Sequence, residues 1–343
     1  MTATPRELVY HCLEFRNPAR APRQLWALPW ADQFHPDAVA GIEHEFPPDI
    51  TPVGPEFRCA PQTEGDPYKI GRYVDEWGCV FTNLQDGVIG EVREPLVRDW
   101  QTDAQTVRFP RELLTFDRDA VNRECAGRDS FTIAGACPRP FEQLQFFRTT
   151  EQLYMDLAGP PAELLRFMRK LHAFYCELLE AWAATDVDAL MFMDDWGSQR
   201  SLLISPQMWR ELFKPMYRDY IQIAHAAGKK TFMHSDGHIV AIYPDLIEIG
   251  LDAVNSQLFC MGIDQLQPFA GKITFWGEID RQHLLPRGST ADIDQAVRQV
   301  YSHLWKNGGC IAQCEFGAGA RPDNVRQVFQ SWNDVSMTDN RYS

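Results

Sequence analysis

"DALMFMDDWGSQRSLLISPQMWRELFKPMYRDYIQIAHAAGKKTFMHSDG", Asp188 to Gly237, is the stretch on which the fold turns. It opens with an apolar run, residues 188–195, and closes on a second, residues 230–234. Between them, residues 205–228 carry a Ser N-cap, Pro at the first helical position and a Gly stop, the marks of a helix, with a kink expected at Pro215. Strand, helix, strand is the unit of a parallel sheet.

The unit repeats on both sides. Strands are predicted at 131–136, 251–257, 272–280 and 310–315, and helices at 160–185, 290–309 (with a Thr cap at Thr290) and 321–334. That makes six strands from residue 126 onward. Residues 1–125, rich in Pro, Trp and charge, have no sustained period and read as an irregular N-terminal extension with room for two more strands. Eight strands close a barrel. The expectation is an α/β fold, a (β/α)8 TIM barrel with an irregular N-terminal extension, spanning 1–343 as a single domain.

Composition bounds the partners. With 33 Lys plus Arg against 47 Asp plus Glu, the net charge of -14 repels nucleic acid and anionic membrane surfaces. No apolar run approaches the roughly 18 to 20 residues of a membrane span, and "MTATPRELVYHCLEF" lacks the regions of a signal peptide. The nine cysteines are scattered without a CxxC pair, as reduced thiols are, so a cytoplasmic location is expected.

In such barrels the reactive groups stand at the C-terminal ends of the strands. Those ends carry Asp194 and Asp195, His234 and Asp236, Asn255 and Gln257, Glu278 and Asp280, Cys314 and Glu315. Residues two apart share a face, so His234 and Asp236 can reach one point. Cys310 and Cys314 lie about 13 Å apart along a strand, which leaves only Cys314 at the mouth. Imidazole, carboxylate and thiolate suit zinc, with a fourth position open to substrate. His234, Asp236 and Cys314 are therefore the expected metal ligands. Asp194, Asp195 and Glu278 are the expected acid and base groups, and Trp196, Arg200, Asn255 and Gln257 the expected substrate contacts. Each has a bland reading as well, since Asp-Gly is a common turn and Asp a common cap.

The runs "MDDWGSQRSLLISPQMW…GKKTFMHSDGHI", "WGEIDRQHLLPRGST" and "GGCIAQCEFGAGARPDNV" resemble the uroporphyrinogen decarboxylase superfamily in its cobalamin-dependent methyltransferase-like branch. "DEWGCVFTNLQDGVIGEVREPLVRDW" extends the resemblance toward the N-terminus. The region "RQLWALPWADQF" lacks the "RQAGRY"-type motif that holds porphyrinogen carboxylates, so porphyrinogen decarboxylation is not expected. The resemblance implies a TIM barrel and a zinc held by a His-x-Cys pair and a distant Cys. His234 and Cys314 match two of these, and Asp236 stands where the nearer Cys would be, a harder donor that suits an oxygen leaving group.

The activity expected from this is zinc-dependent transfer of a methyl group between a small methylated compound and a corrinoid. The direction is open: O-demethylation of a methoxylated aromatic is favoured over methylation of a zinc-bound thiol, and the corrinoid would be free cobalamin or carried on a partner protein. A metal-independent decarboxylase of a small acid is the alternative. A homodimer stays open.

Overall fold

The computed structural model describes residues 3–339. Eight parallel strands run β1 (Arg23–Ala27), β2 (Ile50–Val53), β6 (Phe131–Ala134), β7 (Ala189–Met193), β8 (Lys230–Ser235), β9 (Ala253–Ser256), β10 (Thr274–Trp276) and β11 (Cys310–Phe316). They are hydrogen-bonded in the order β1-β11-β10-β9-β8-β7-β6-β2. The two ends of that order are tied where they start: the Asp49 backbone N–H donates to the Arg23 carbonyl at 2.9 Å, and the Asp49 carboxylate accepts from the Arg23 N–H at 2.7 Å. The result is a nearly closed (β/α)8 barrel. The three strands β3 (Gly71–Val74), β4 (Val80–Asn83) and β5 (Glu91–Val92) form a separate antiparallel sheet inserted between β2 and β6.

The expected kink is a break. Helix Pro206–Leu212 stops at Phe213, and Lys214–Ala226 begins with Pro215 in its first turn, where the missing N–H costs nothing. Helix Thr290–Leu304 is capped by Ser289 rather than Thr290: the Ser289 hydroxyl accepts from Asp292 N–H while the Asp292 carboxylate accepts from Ser289 N–H. The first 125 residues are more regular than their composition suggests. They supply two barrel strands and the helix Pro5–Leu13, whose Val9, Cys12 and Leu13 pack into the barrel interior.

Strand alternation sorts every barrel residue into one of two cores. Ile50, Phe131, Ala189, Phe232, Ala253, Trp276 and Ile311 point inward, and the alternate positions face the helices. Phe232 and Trp26 each meet Trp276 edge-on with ring centroids 4.9 Å apart, a dry aromatic layer that fills the barrel below its C-terminal mouth. Above that layer the inward positions turn polar.

Candidate active site at the barrel mouth

His234 ends β8 facing inward and pairs in register with Asn255 of β9. The Asn255 amide nitrogen donates to the Trp276 carbonyl at 2.5 Å and to Gln313 Oε1 at 3.1 Å. Its oxygen therefore accepts from His234 Nδ1, at 2.6 Å. With the proton on Nδ1, the Nε2 lone pair of the neutral imidazole faces the mouth. There it meets Asp195 Oδ1 and Asp236 Oδ1, each at 3.6 Å. Burial opposes the imidazolium, but the carboxylates of Asp236 and Asp195 overcome it and hold the His234 pKa above its ordinary value.

The two carboxylates come from loops that cross at close quarters. Asp236 N–H donates to Asp195 Oδ1 at 2.9 Å, and Gly197 N–H donates to the Asp236 carbonyl at 3.1 Å. Gly237 has φ +78°, and a Cβ there would overlap the Gly197 backbone. The Asp-Gly turn is what aims Asp236 at the histidine. One donor atom each from Asp195, His234 and Asp236 lies within 4.8 Å of the others. Asp236 Oδ1 is buried without a hydrogen-bond partner. Two carboxylates and one oriented imidazole fit a divalent cation such as zinc, and Asn255 is the outer partner that such a histidine needs.

Cys314 does not join this group. On β11 the inward positions are Ile311, Gln313 and Glu315, so the thiol points into the layer between barrel and helices. Burial raises its pKa well above the usual thiol range. Asp194 likewise faces outward. Its carboxylate accepts from the Phe141 and Glu142 N–H groups at 3.0 and 2.7 Å, capping helix Pro140–Arg148, and from the Tyr217 hydroxyl. Trp196 is fully buried in that outer layer, stacked on Phe141 at 4.2 Å. The Arg200 side chain stands exposed on the loop after β7. The remaining expected residues, Asp195, Asn255, Gln257 and Glu278, are at the mouth.

Sequence reasoning passed over three residues. Arg281 is the hub of the acidic rim: it ion-pairs with Asp236, with Glu315 at 2.5 Å and with Glu278 at 3.4 Å, and its Nη2 lies 2.7 Å from the Gln257 amide. Glu278 is 2 % exposed, and burial pushes its pKa up to about 8. Glu142 is the second. Burial, then the nearby Asp195 carboxylate, push its pKa up to about 7, and its Oε2 is buried without a partner. Arg139 is the third, three residues before Glu142. Arg281 follows the strand-end "GEID" by one residue and was within reach of the strand-end argument; the other two belong to the segment after β6, for which no ligand-type pattern exists.

Glu142 and Arg139 line a cavity of about 470 Å³ between the barrel mouth and the antiparallel sheet. Its walls are mostly aromatic, among them Phe57, Tyr73, Trp77, Phe146 and Trp182. A smaller cavity of about 190 Å³ is bounded by Gln257, Glu278 and Arg281.

A methyltransferase from Methanosarcina mazei superposes with a TM-score of 0.66 at 15% identity, over 97% of this chain and 99% of that one. A B12-independent methionine synthase from Shewanella sp. W3-18-1 gives a TM-score of 0.43 at 11% identity, over 66% of each chain. At 15% identity the first of these likenesses is one of fold. No curated protein matches the sequence significantly. The family model for uroporphyrinogen decarboxylase (URO-D) matches residues 84–335, from the antiparallel sheet through the last barrel strand to the closing helix. With that match over more than half its length, the chain belongs to the uroporphyrinogen decarboxylase family.

Proposed function

We propose that this chain is a metal-dependent methyltransferase that takes a methyl group from a small methoxylated compound and passes it to a corrinoid, free or carried by a partner protein. The observation that carries the reading is the cluster of Asp195, His234 and Asp236 beside the aromatic cavity. Asp195, His234 and Asp236 would hold the ion, and a divalent ion bound there supplies Lewis acidity toward a leaving oxygen. With two carboxylates and one nitrogen the donor set is harder than a thiolate site, which favours oxygen over sulfur as the leaving atom.

The chain's own residues supply the rest. Asn255 holds the proton on Nδ1 of His234 and aims Nε2 at the two carboxylates, and Asp236 is steadied by Arg281. A reduced corrinoid would supply the nucleophile that accepts the methyl group, and the electron pair of the broken C–O bond would stay on the ether oxygen. The proton that the oxygen then needs comes from Glu142, whose carboxyl is still substantially protonated near neutral pH and lines the cavity. Glu278, held beside Arg281 at the smaller cavity, is the less well placed acid.

The test is to mix the protein, isolated without chelators, with reduced cobalamin and a panel of methoxylated aromatics. Methyl transfer gives a demethylated phenol and a stoichiometric change in corrinoid absorbance. A second reading, metal-independent decarboxylation of a small acid, draws on the arginines at the mouth. Carbon dioxide released without corrinoid would replace the first reading by the second.

A further inference from the structure

The cavity wall holds a guanidinium whose N–H donors no described side chain takes up. The Arg139 guanidinium is largely buried on the cavity wall, and among the described residues no hydrogen bond or ion pair engages it. Glu142 and Asp194 balance its charge from a distance but leave its donors unfilled, and a buried guanidinium without acceptors marks where an anion can bind. The three acids in the wall do not serve, and Glu76 makes no ion pair or hydrogen bond with the guanidinium. Asp75 is occupied by the N–H groups of Trp77 and Cys79 at 3.0 and 2.7 Å. Glu142 lies toward the Asp195 cluster and makes no ion pair with Arg139. The free amides at the start of helix Pro140–Arg148 are not available to an anion either, because Asp194 takes those of Phe141 and Glu142.

From this juxtaposition of one guanidinium without direct partners and aromatic walls, we infer that the cavity takes an aromatic carboxylate, its ring between the aromatic side chains and its carboxylate on Arg139. This rests on the methyl-transfer reading only in naming the substrate as a methoxylated aromatic acid; the carboxylate site itself stands on the cavity. A planar guanidinium offers two parallel N–H donors to a carboxylate, a contact that an amide or ester of the same shape cannot reproduce.

Trp77 and Trp182 line the cavity, so their fluorescence reports binding without corrinoid or added metal. The probes are 4-methoxybenzoate, its neutral near-isostere 4-methoxybenzamide, and the cation trimethylphenylammonium. Wild type is expected to bind the benzoate about tenfold or more tightly than the benzamide. Arg139→Gln should bring the two within about twofold by weakening the benzoate alone, and Arg139→Lys should keep part of the preference. Equal affinities in wild type, a preference that survives Arg139→Gln, tighter binding of the cation, or no binding by any probe would each overturn the inference. The wild-type comparison stands even if Arg139→Gln fails to fold. Methyl transfer, followed in parallel, separates the two readings. Transfer without a carboxylate preference overturns the substrate class alone, and a carboxylate preference without transfer overturns the transfer alone.

Discussion

Asn255 sets the tautomer of His234. Its oxygen stands 2.6 Å from Nδ1 while its nitrogen is committed to the Trp276 carbonyl and Gln313, so the amide cannot turn round without facing two acceptors with its oxygen. Asn255→Leu should therefore weaken divalent-ion binding by about 10- to 100-fold while leaving Asp195, His234 and Asp236 in place. Titration with zinc against a competing chelator measures this. Unchanged affinity would mean that the histidine is oriented by something else.

Metal content separates the mouth from the outer layer. Wild type isolated without chelators should carry about one zinc per chain, and His234→Ala and Asp195→Asn should lose most of it. Cys314→Ser should retain it, since its side chain points away from the cluster, and should instead cost about 1–3 kcal/mol of stability from burying a hydroxyl among apolar groups. Elemental analysis and thermal melts distinguish the two. Zinc lost equally from Cys314→Ser would put the thiol back among the ligands.

Gly237→Ala tests the crossing loops. The substitution forces a Cβ onto φ +78° and into the Gly197 backbone, so it should destabilise the protein by about 1–3 kcal/mol and lower metal affinity through Asp236. Ser235→Ala, at the end of the strand, loses a hydroxyl that accepts from Trp196 N–H and makes a long 3.4 Å bond to the Asp236 carbonyl, with no Cβ forced into the loops, and should lower metal affinity far less. Similar metal affinities in the two variants would sever the turn from the site.

The Glu278 carboxyl should tilt stability against pH. Its folded pKa of about 8 lies above the unfolded value, so between about pH 4.5 and 8 the folded state holds a proton that the unfolded state has released. Stability from this group is fully present below that window and falls as pH rises through it, by an amount on the order of 1 kcal/mol per pH unit. Glu142 and Asp75 tilt the same way, but Glu278→Gln should remove one share of the slope. Denaturant unfolding at pH 5, 6.5 and 8 reads it; identical slopes in wild type and variant would show Glu278 ionised across the range.

Arg281→Gln should be the most damaging change at the rim. It leaves Asp236, Glu278 and Glu315 without their shared counter-charge, and the loss should be about 3–5 kcal/mol. Arg281→Lys should recover little of it, because one ammonium cannot reach three carboxylates as the guanidinium fork does. A melting temperature close to wild type for Arg281→Gln would show that the rim tolerates its charge.

The barrel was legible because its signals are local. A period of two in "KTFMH", a period near 3.6 in "AELLRFMRKLHAFYCELLEAWA", a Ser-Pro start and a Gly stop each lie within a few residues, and their alternation leaves few topologies. His234 and Asp236 were legible for the same reason, being two apart at a strand end. What a single chain of letters does not carry is the phase of each strand relative to its neighbours. One residue of phase sends Glu315 into the mouth and Cys314 into the outer layer, Asp195 into the mouth and Asp194 onto a helix N-terminus.

Composition, strand ends and helix caps thus determined a βα barrel with acids and a histidine at its mouth. Which of them meet was decided by register across five strands. Arg281 reaches its three partners from positions 3, 34 and 45 residues away along the chain, and Arg139 and Glu142 gain their meaning only from a cavity that the antiparallel sheet closes over them. The energy of such contacts comes from excluding water around groups brought together by the closed barrel, and no local propensity encodes it.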